Sequence, residues 1–233
     1  MKKVRYAVVG AGWISQEAFL PGVWQTENSV VSAIVTGSEE KGRRLAEFHQ
    51  VPHVFGYEQY AGMLNEDVCD AVYVALPNSK HAEYTIQAAK AGKHILVEKP
   101  LAVSLQEGKA MIEAAEENSV YLMTAYRLHS EPGTVEALER IRHGQIGEPR
   151  IFNSILSFQI QPNNHRLQGS LWGGDHCKTW EYIASMPPDI FLRQNLQKFG
   201  HPATKEQTIR FLMRWKNPLR RPWFFQGVES PSS

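Results

Sequence analysis

Glu98-Lys99-Pro100 is the triplet whose residue types point most directly to chemistry. It follows an apolar strand pattern at residues 94–97, and in an open parallel sheet ligands bind outside the carboxyl ends of the strands. A lysine amine at that edge can hydrogen-bond a substrate hydroxyl and help its proton leave while a hydride departs to a dinucleotide. Taken alone, Lys99 would be interpreted as a solvated surface lysine, so the assignment depends on the elements around it.

A glycine-rich turn near the N-terminus is the second element with chemical meaning. Gly10-Ala11-Gly12 follows a strand pattern directly and precedes a helix pattern. Gly10 permits a tight turn, and Gly12 lets the backbone approach a pyrophosphate at the helix N-terminus. Ser15 is the small residue where the usual pattern has a third glycine. We therefore predict dinucleotide binding here, in preference to an α/β turn that binds nothing.

The end of the second predicted strand indicates which dinucleotide binds. An acidic residue there would hold the ribose 2′-hydroxyl of NAD, but the chain has Ser38, followed by Lys41, Arg43 and Arg44. Hydroxyl and cationic donors suit a 2′-phosphate, so NADP is favoured over NAD. A solvated helix start has the same composition and is the alternative.

A third motif, Pro77-Asn78-x-x-His81, closes the fourth predicted strand at the same edge. Asn78 and His81 are expected to touch the nicotinamide side of the cofactor. The alternative is structural, since Pro-Asn-Ser is a common turn and helix cap.

Alternating strand and helix patterns surround these motifs and predict an α/β fold, with a Rossmann doubly wound parallel sheet over residues 1–125. Strands are predicted at 4–9, 30–35, near 54, 71–75, 94–97 and 120–124, and helices at 13–24, 39–50, 57–64, 80–91, 105–118 and 134–143. Residues 126–173 are predicted to begin a second α/β domain on an open sheet, with a strand at 150–158.

Together the three motifs, with Tyr126-Arg127 and the stretch 147–149, resemble the glucose–fructose oxidoreductase, inositol 2-dehydrogenase and MocA (Gfo/Idh/MocA) oxidoreductase family. The resemblance runs to about Gly174 and is strongest to the glucose–fructose oxidoreductase branch, without its secretion signal. It implies NAD(P)-dependent hydride transfer to or from a sugar, cyclitol or related polyol. It also implies a second domain whose open sheet commonly makes homo-oligomer contacts.

The resemblance also carries site residues over to this chain. Lys99 would be the catalytic lysine. The residues expected at the cofactor are Gly10, Gly12, Trp13, Ile14, Ser38, Lys41, Pro77, Asn78, His81, Glu98, Lys99 and Arg127. Arg166 and Trp172 are expected at the rim between substrate and cofactor.

The chain departs from the family pattern at Gly174. The family continues as Gly-Gly-Pro-Leu-x-Asp-x-Gly-x-Tyr/His, and its Asp and Tyr or His complete the catalytic set. Here the chain continues as Asp175-His176-Cys177 instead. The other reading frame of this stretch joins the third base of each codon to the first two bases of the next codon. Read in that frame, the stretch can encode Gly-Pro-Leu-Gln-Asp-Val-Gly-Ile-Tyr, which is the missing segment.

We therefore predict that residues 174–233 come from a shifted reading frame. A natural lesion and a sequencing error are both open as its origin. The polypeptide would then bind cofactor but turn over very slowly, with a tail that is poorly ordered or loosely packed. A cofactor-binding pseudoenzyme or redox-sensing regulator is the alternative function.

Composition excludes several other classes. The chain is 42% hydrophobic and has two cysteines, no signal peptide and no apolar run of the roughly 20 residues that a membrane helix needs, so a cytoplasmic protein without a membrane partner is expected. Residues 175–233 carry a charge balance of +4 against −3 for 1–174, which could indicate a nucleic-acid-binding tail. Because a shifted frame produces such composition without selection, no nucleic-acid partner is predicted. No metal is predicted either, since residues 175–177 lack a second ligand pair.

Overall fold

The computed structural model describes residues 2–147, and a six-stranded parallel sheet runs through them. The strands are β1 (Val4–Val9), β2 (Ser29–Val35), β3 (His53–Phe55), β4 (Ala71–Val74), β5 (His94–Val97) and β6 (Leu122–Thr124). Their order across the sheet is β3-β2-β1-β4-β5-β6, and every neighbouring pair is parallel. This is the order of a dinucleotide-binding Rossmann sheet, so the predicted fold class is confirmed.

Helices connect the strands and cover both faces of the sheet. They are α1 (Leu20–Trp24), α2 (Glu39–His49), α3 (Tyr60–Leu64), α4 (His81–Lys90), α5 (Leu105–Glu117) and α6 (Pro132–Arg142). A π-helical segment, Ser15–Phe19, leads into α1, and 3₁₀ turns at Tyr57–Gln59, Asn78–Lys80 and Arg127–His129 precede α3, α4 and α6. The segment between β1 and β2 is therefore helical where a helix was predicted, but its first part is a π-helix and its second part an α-helix.

Within residues 2–147 the core consists of two apolar clusters, one on each face of the sheet. Because successive side chains of a strand point to opposite faces, Ala7 and Val9 join the cluster that α3, α4 and α5 cover, while Val8 joins the cluster under α1 and α2. All three are fully buried. Strands buried on both faces read as continuous apolar runs, and this is why the strands were recognisable in the sequence.

Side-chain caps set the beginnings of the longer helices. Ser38 accepts a hydrogen bond from the Lys41 amide at the start of α2, and Ser104 does the same for the Glu107 amide at the start of α5. Glu131 accepts from the Thr134 amide, so α6 begins at Pro132, two residues before the predicted start. β6 begins at Leu122, two residues later than predicted.

Several predictions concern residues beyond the described range. The strand at 150–158, the rim residues Arg166 and Trp172, and the shifted-frame segment 174–233 all lie outside the described residues. Among residues 2–147, no helix combines the length and the apolar character that crossing a membrane requires.

Candidate functional site

The sequence motifs meet at the carboxyl edge of the sheet. Backbone hydrogen bonds tie each loop to the last residue of a neighbouring strand: Gly10 N to Val35 O at 2.9 Å, Ala75 N to Val9 O at 2.8 Å, Glu98 N to Val74 O at 2.8 Å and Ala125 N to Val97 O at 2.8 Å. The glycine turn, the Pro77 loop and the Glu98 turn therefore start at the same level. The strand order reverses at β1, so the crevice where ligands bind in such sheets lies between the loops after β1 and β4.

Gly10 forms the tightest part of this edge. Its φ is +101°, and a Cβ at this position would lie 2.4 Å from the carbonyl oxygen of Ala75. The turn is held from the other side by Ser15, whose fully buried Oγ donates a 2.6 Å hydrogen bond to the Gly10 carbonyl. Ser15 thus does more than keep a small volume, because it also holds the turn against the following helical segment.

The residues after Gly10 leave the turn open to solvent. Gly12 is exposed, and a Cβ at this position would meet no residue beyond its immediate chain neighbours within 4 Å among the described residues. Trp13 is 69% exposed, and Ile14 is half-buried. Gln16 Nε2 donates to the Ala11 carbonyl at 2.9 Å, which braces the turn from within. A ligand can therefore approach the backbone at Gly12 from the side on which a Cβ would lie.

Lys41 brings a cation from α2 onto the glycine turn. Its Nζ donates a 3.2 Å hydrogen bond to the carbonyl of Ala11, although the two residues are 30 positions apart in the chain. Ser38, at the N-cap of α2, is exposed beside it. Arg43 instead forms an ion pair with Glu39 on the outer face of α2, so of these cationic donors Lys41 is the one shown in contact with the turn.

His81 joins two loops of the edge. The imidazole is fully buried, with Nδ1 2.8 Å from the Pro100 carbonyl oxygen and Nε2 3.0 Å from the Leu76 carbonyl oxygen. Burial lowers the pKa of His81, while the two carbonyl oxygens oppose that shift. A neutral ring carries one N–H and can donate to only one of the two carbonyls. Both nitrogens face the protein's own backbone, so the geometry gives His81 a bridging position.

Asn78 lies next to this bridge and is 3% exposed, in the turn Asn78–Lys80 that follows Pro77. Its placement in the Pro77 loop matches the motif, and its predicted contact with a cofactor stays a prediction.

Glu98 and Lys99 are held by a residue that the motifs did not reveal. The hydroxyl of Tyr73, on β4, donates a 2.6 Å hydrogen bond to Glu98 Oε1, and the Lys99 amide donates to Glu98 Oε2 at 3.2 Å. Tyr73 is 2% exposed, and burial, followed by the charge of Glu98, raises its pKa far above the ordinary value. Lys99 is partly exposed, and the Lys99–Pro100 peptide is cis.

The ring of Tyr73 also contacts the helical segment after the glycine turn. Phe19 stacks on it with 3.8 Å between ring centroids and 9° between ring planes, and Tyr6 packs edge-on against Phe19. One sequence signal could have identified Tyr73: a tyrosine inside an otherwise aliphatic strand needs a partner for its buried hydroxyl.

Arg127 follows β6 at the far side of the edge. It lies in the turn Arg127–His129 and is exposed, with its amide bonded to the Ala125 carbonyl at 3.1 Å. β6 is two strands from β4, so Arg127 shares the edge with the other predicted residues without adjoining the glycine turn.

A cavity of about 210 Å³ lies at the opposite, amino edge of the sheet. Lys3, Trp24, Val30 and His49 are among its lining residues. Within residues 2–147, none of the predicted site residues lines it.

A family model described as an oxidoreductase family with an NAD-binding Rossmann fold matches residues 4–126. Among curated proteins, D-xylose 1-dehydrogenase [NADP(+)] of Haloarcula marismortui is 34% identical over 73% of this chain and 49% of its own length. The scyllo-inositol 2-dehydrogenase (NADP(+)) of Bacillus subtilis is 34% identical over 65% of this chain and 44% of its own. The chain thus spans about half the length of the curated relatives it matches.

Solved structures show the same similarity. A 3-ketoreductase from Actinomadura kijaniata, in complex with NADP and TDP-benzene, matches with a TM-score of 0.70 and 29% identity, over 76% of this chain and 54% of its own. An aldose-aldose oxidoreductase from Caulobacter crescentus, in complex with glycerol, matches with a TM-score of 0.67 and 32% identity, over 74% of this chain and 52% of its own.

Proposed function

Because this chain belongs to the Gfo/Idh/MocA oxidoreductase family, whose model describes an NAD-binding Rossmann fold, we propose that it transfers a hydride between a nicotinamide dinucleotide and a sugar, cyclitol or related polyol. The observation that carries the proposal is the set of backbone hydrogen bonds at the carboxyl edge of the sheet. Because of these bonds, the glycine turn and the Glu98 turn begin at the same level. Residues 1–125 form the nucleotide-binding domain in this proposal, and 126–173 begin the substrate domain.

The residues at this edge fit a dinucleotide. The exposed backbone at Gly12 accepts a pyrophosphate without a steric barrier, and Trp13 and Ile14 provide an apolar surface beside it. Pro77 and Asn78 lie in the loop after β4 and Glu98 follows β5, while His81, at the start of α4, joins these two loops. When bound, the nicotinamide would supply the acceptor or donor of the hydride.

Lys99 is the proposed catalytic residue. When the carbon that bears a substrate hydroxyl is oxidised, the amine of Lys99 accepts the proton of that hydroxyl. When a carbonyl is reduced, the amine donates a proton to the carbonyl oxygen. The backbone amide of Lys99 is held by Glu98, so the side chain leaves the backbone at a defined position on the edge. Arg127 contributes charge from the turn beyond β6. The predicted partner of Lys99 in proton transfer falls in the family segment that the sequence replaces after Gly174.

NADP is the favoured cofactor. Lys41 places its ammonium group on the Ala11 carbonyl, and Ser38 exposes a hydroxyl at the start of α2. A phosphate on the adenosine ribose, next to the end of β2, would meet both donors. Relatives with either cofactor preference exist, since the names of the two dehydrogenases described above specify NADP(+) and a second Bacillus subtilis scyllo-inositol dehydrogenase is named for NAD(+).

Cofactor titration tests the nucleotide site. We expect NADPH to bind more tightly than NADH, measured by the fluorescence of the reduced nicotinamide. Lys41→Met should weaken NADPH binding about tenfold, the value of one charge-assisted contact, and change NADH binding little. Lys109→Met, on the exposed face of α5, is the matched control. Equal weakening for both cofactors would contradict the role of Lys41, and no binding of either would contradict the function.

Turnover with a panel of aldoses and inositols tests the chemistry. Lys99→Met should reduce kcat/KM by two orders of magnitude or more, the usual effect of removing an acid–base group, while NADPH binding persists. Tight NADPH binding without turnover by the native chain would favour the cofactor-binding alternative. Sequencing the gene around the Gly174 codon, and assaying the product of the other frame in parallel, separates a damaged enzyme from a protein that never was one.

A further inference from the structure

We propose that Tyr73 is a positioning residue, which holds the Glu98-Lys99 turn in place from the core of the sheet. The inference rests on the proposed function, because it assigns Tyr73 a task toward Lys99. Tyr73 lies on β4, where its neighbours Ala71, Val72 and Val74 are aliphatic and buried. A phenylalanine would fill this position and keep the stacked ring without placing a hydroxyl in the core, so the hydroxyl needs an explanation of its own.

The hydroxyl of Tyr73 immobilises the Glu98 carboxylate. Oε1 of Glu98 accepts a hydrogen bond from Tyr73 at 2.6 Å, and Oε2 accepts one from the Lys99 amide at 3.2 Å. The two donors come from different sides, one from a strand and one from the turn itself. With Oε1 tied to a rigid strand, Oε2 becomes a fixed point to which the backbone of Lys99 is attached.

Phe19 extends this connection to the glycine turn. It ends the segment Ser15–Phe19, whose first residue donates to the Gly10 carbonyl, and its ring stacks on Tyr73 at 3.8 Å. Phe19 thereby fixes the plane of the tyrosine ring and hence the direction of its hydroxyl. The turn that is proposed to bind pyrophosphate and the turn that carries Lys99 are thus joined through two stacked rings and one carboxylate.

The test compares Tyr73→Phe with Tyr60→Phe. Tyr60 is also almost fully buried, and its hydroxyl also donates a hydrogen bond, 3.0 Å to the Tyr84 carbonyl, but this bond joins α3 to α4 and does not reach the Glu98-Lys99 turn. Both variants keep the ring and lose one buried hydrogen bond. If the Tyr73 hydroxyl only stabilises the fold, the two variants should therefore change in the same way. If it positions the Glu98-Lys99 turn, only Tyr73→Phe should alter the properties of Lys99.

The first readout is hydrogen exchange of the Lys99 amide, measured by NMR or by mass spectrometry with fragmentation. We expect Tyr73→Phe to speed this exchange about tenfold, which corresponds to the loss of a hydrogen bond to a charged group, and Tyr60→Phe to leave it unchanged. Equal exchange at Lys99 in the two variants would overturn the proposal. This readout does not depend on activity, so it remains decisive if the chain shows no turnover.

The second readout is kinetic. Tyr73→Phe should lower kcat about tenfold with the KM for NADPH unchanged, because the hydroxyl acts on Lys99 and not on the dinucleotide. Tyr60→Phe should keep kcat within twofold. A rise of KM with kcat preserved would overturn the proposal. Absence of cofactor binding in the unmodified protein would instead refute the proposed function, and the exchange experiment would still decide the role of Tyr73.

Discussion

The two edges of the sheet hold their polar groups in different ways. At the amino edge, Arg5 forms a two-point ion pair with Asp70, with Nε–Oδ2 at 3.1 Å and Nη2–Oδ1 at 2.9 Å, and also pairs with Asp67. At the carboxyl edge, the buried uncharged hydroxyls of Ser15 and Tyr73 donate linking hydrogen bonds, to the Gly10 carbonyl and to the Glu98 carboxylate.

This difference reflects what each edge must hold. The Arg5 and Asp70 side chains are 26% and 29% exposed and join the start of β1 to the residue before β4, so they connect strands near solvent. Ser15, Tyr73 and His81 are buried and connect loops to one another. Buried hydrogen bonds are little screened and fix direction well, which suits an edge that positions chemistry. Exposed ion pairs contribute modestly to stability and can be lost without moving a loop.

Gly10→Ala should have the largest effect, at the carboxyl edge. The new Cβ would meet the Ala75 carbonyl at 2.4 Å in a backbone with φ of +101°, so the turn must move. We expect a loss of about 3 kcal/mol in unfolding free energy, from overpacking and backbone strain together, and loss of NADPH binding. Gly62→Ala, in α3 with open space around it, is the control and should not destabilise the protein. Denaturant unfolding and cofactor titration measure both effects.

His81→Ala should follow in size. It removes a buried ring and the one hydrogen bond that a neutral imidazole can donate to the Leu76 or Pro100 carbonyl, for a loss of about 2–3 kcal/mol. Unfolding by urea measures it, and His53→Ala, on the exposed side of β3, serves as control. A loss no larger than that of the control would show that the bridge contributes little.

The pH dependence of His81 gives a second measurement on the same variant. Because burial lowers its pKa below the ordinary value of 6.5, the ring is neutral in the folded protein and protonates more readily when unfolded. Its contribution is therefore complete above pH 6.5 and is lost as the pH falls through the lowered pKa. The native protein should lose more stability than the variant between pH 7.5 and 5.5. Parallel curves would contradict the assignment.

Ser15→Ala should cost about 1–2 kcal/mol, because it leaves the buried Gly10 carbonyl without its side-chain donor. NADPH affinity should fall with it, since the turn loses its brace. Ser29→Ala removes an exposed hydrogen bond to Asn28 and should change neither quantity. If Ser15→Ala left cofactor affinity intact while lowering stability, the brace would be structural and unrelated to binding.

Asp70→Asn should have a smaller effect than the three substitutions at the carboxyl edge, and this effect should be confined to stability. Hydrogen bonds from Arg5 lower the pKa of Asp70 from 3.8 to about 2, so its stabilisation is present above pH 3.8 and is lost as the pH falls through about 2. Near neutral pH, with screening of this partly exposed pair, we expect a loss of about 1 kcal/mol and unchanged NADPH affinity. Asp67→Asn, with a 93% exposed side chain, should cost less. A changed cofactor affinity would show that the two edges are coupled.

Most of the fold was predictable because apolar runs mark strands that are buried on both faces. β1 and β5 have the predicted bounds, and β3 was predicted although it is only three residues long. The π-helical winding at Ser15–Phe19 carried no comparable signal, since its residues suit any amphipathic helix. The prediction that Lys99 is a catalytic residue came from its position after β5. The prediction that Lys41 binds the cofactor came from its position after β2. Residues past 147 lie outside the described part of the chain, so the shifted frame stays a prediction.

The sequence alone was enough to predict the six parallel strands, the glycine turn and the family. Apolar strand patterns and motif spacings are properties of short stretches of consecutive residues. The partners of the side chains are a different matter. That Tyr73 meets Glu98, that His81 spans Leu76 and Pro100, and that Lys41 reaches Ala11 depends on how β4, β5 and α2 pack, since each pair is separated by several to many residues. Burial makes these contacts important for stability, because a polar group removed from water must form its hydrogen bonds inside the protein.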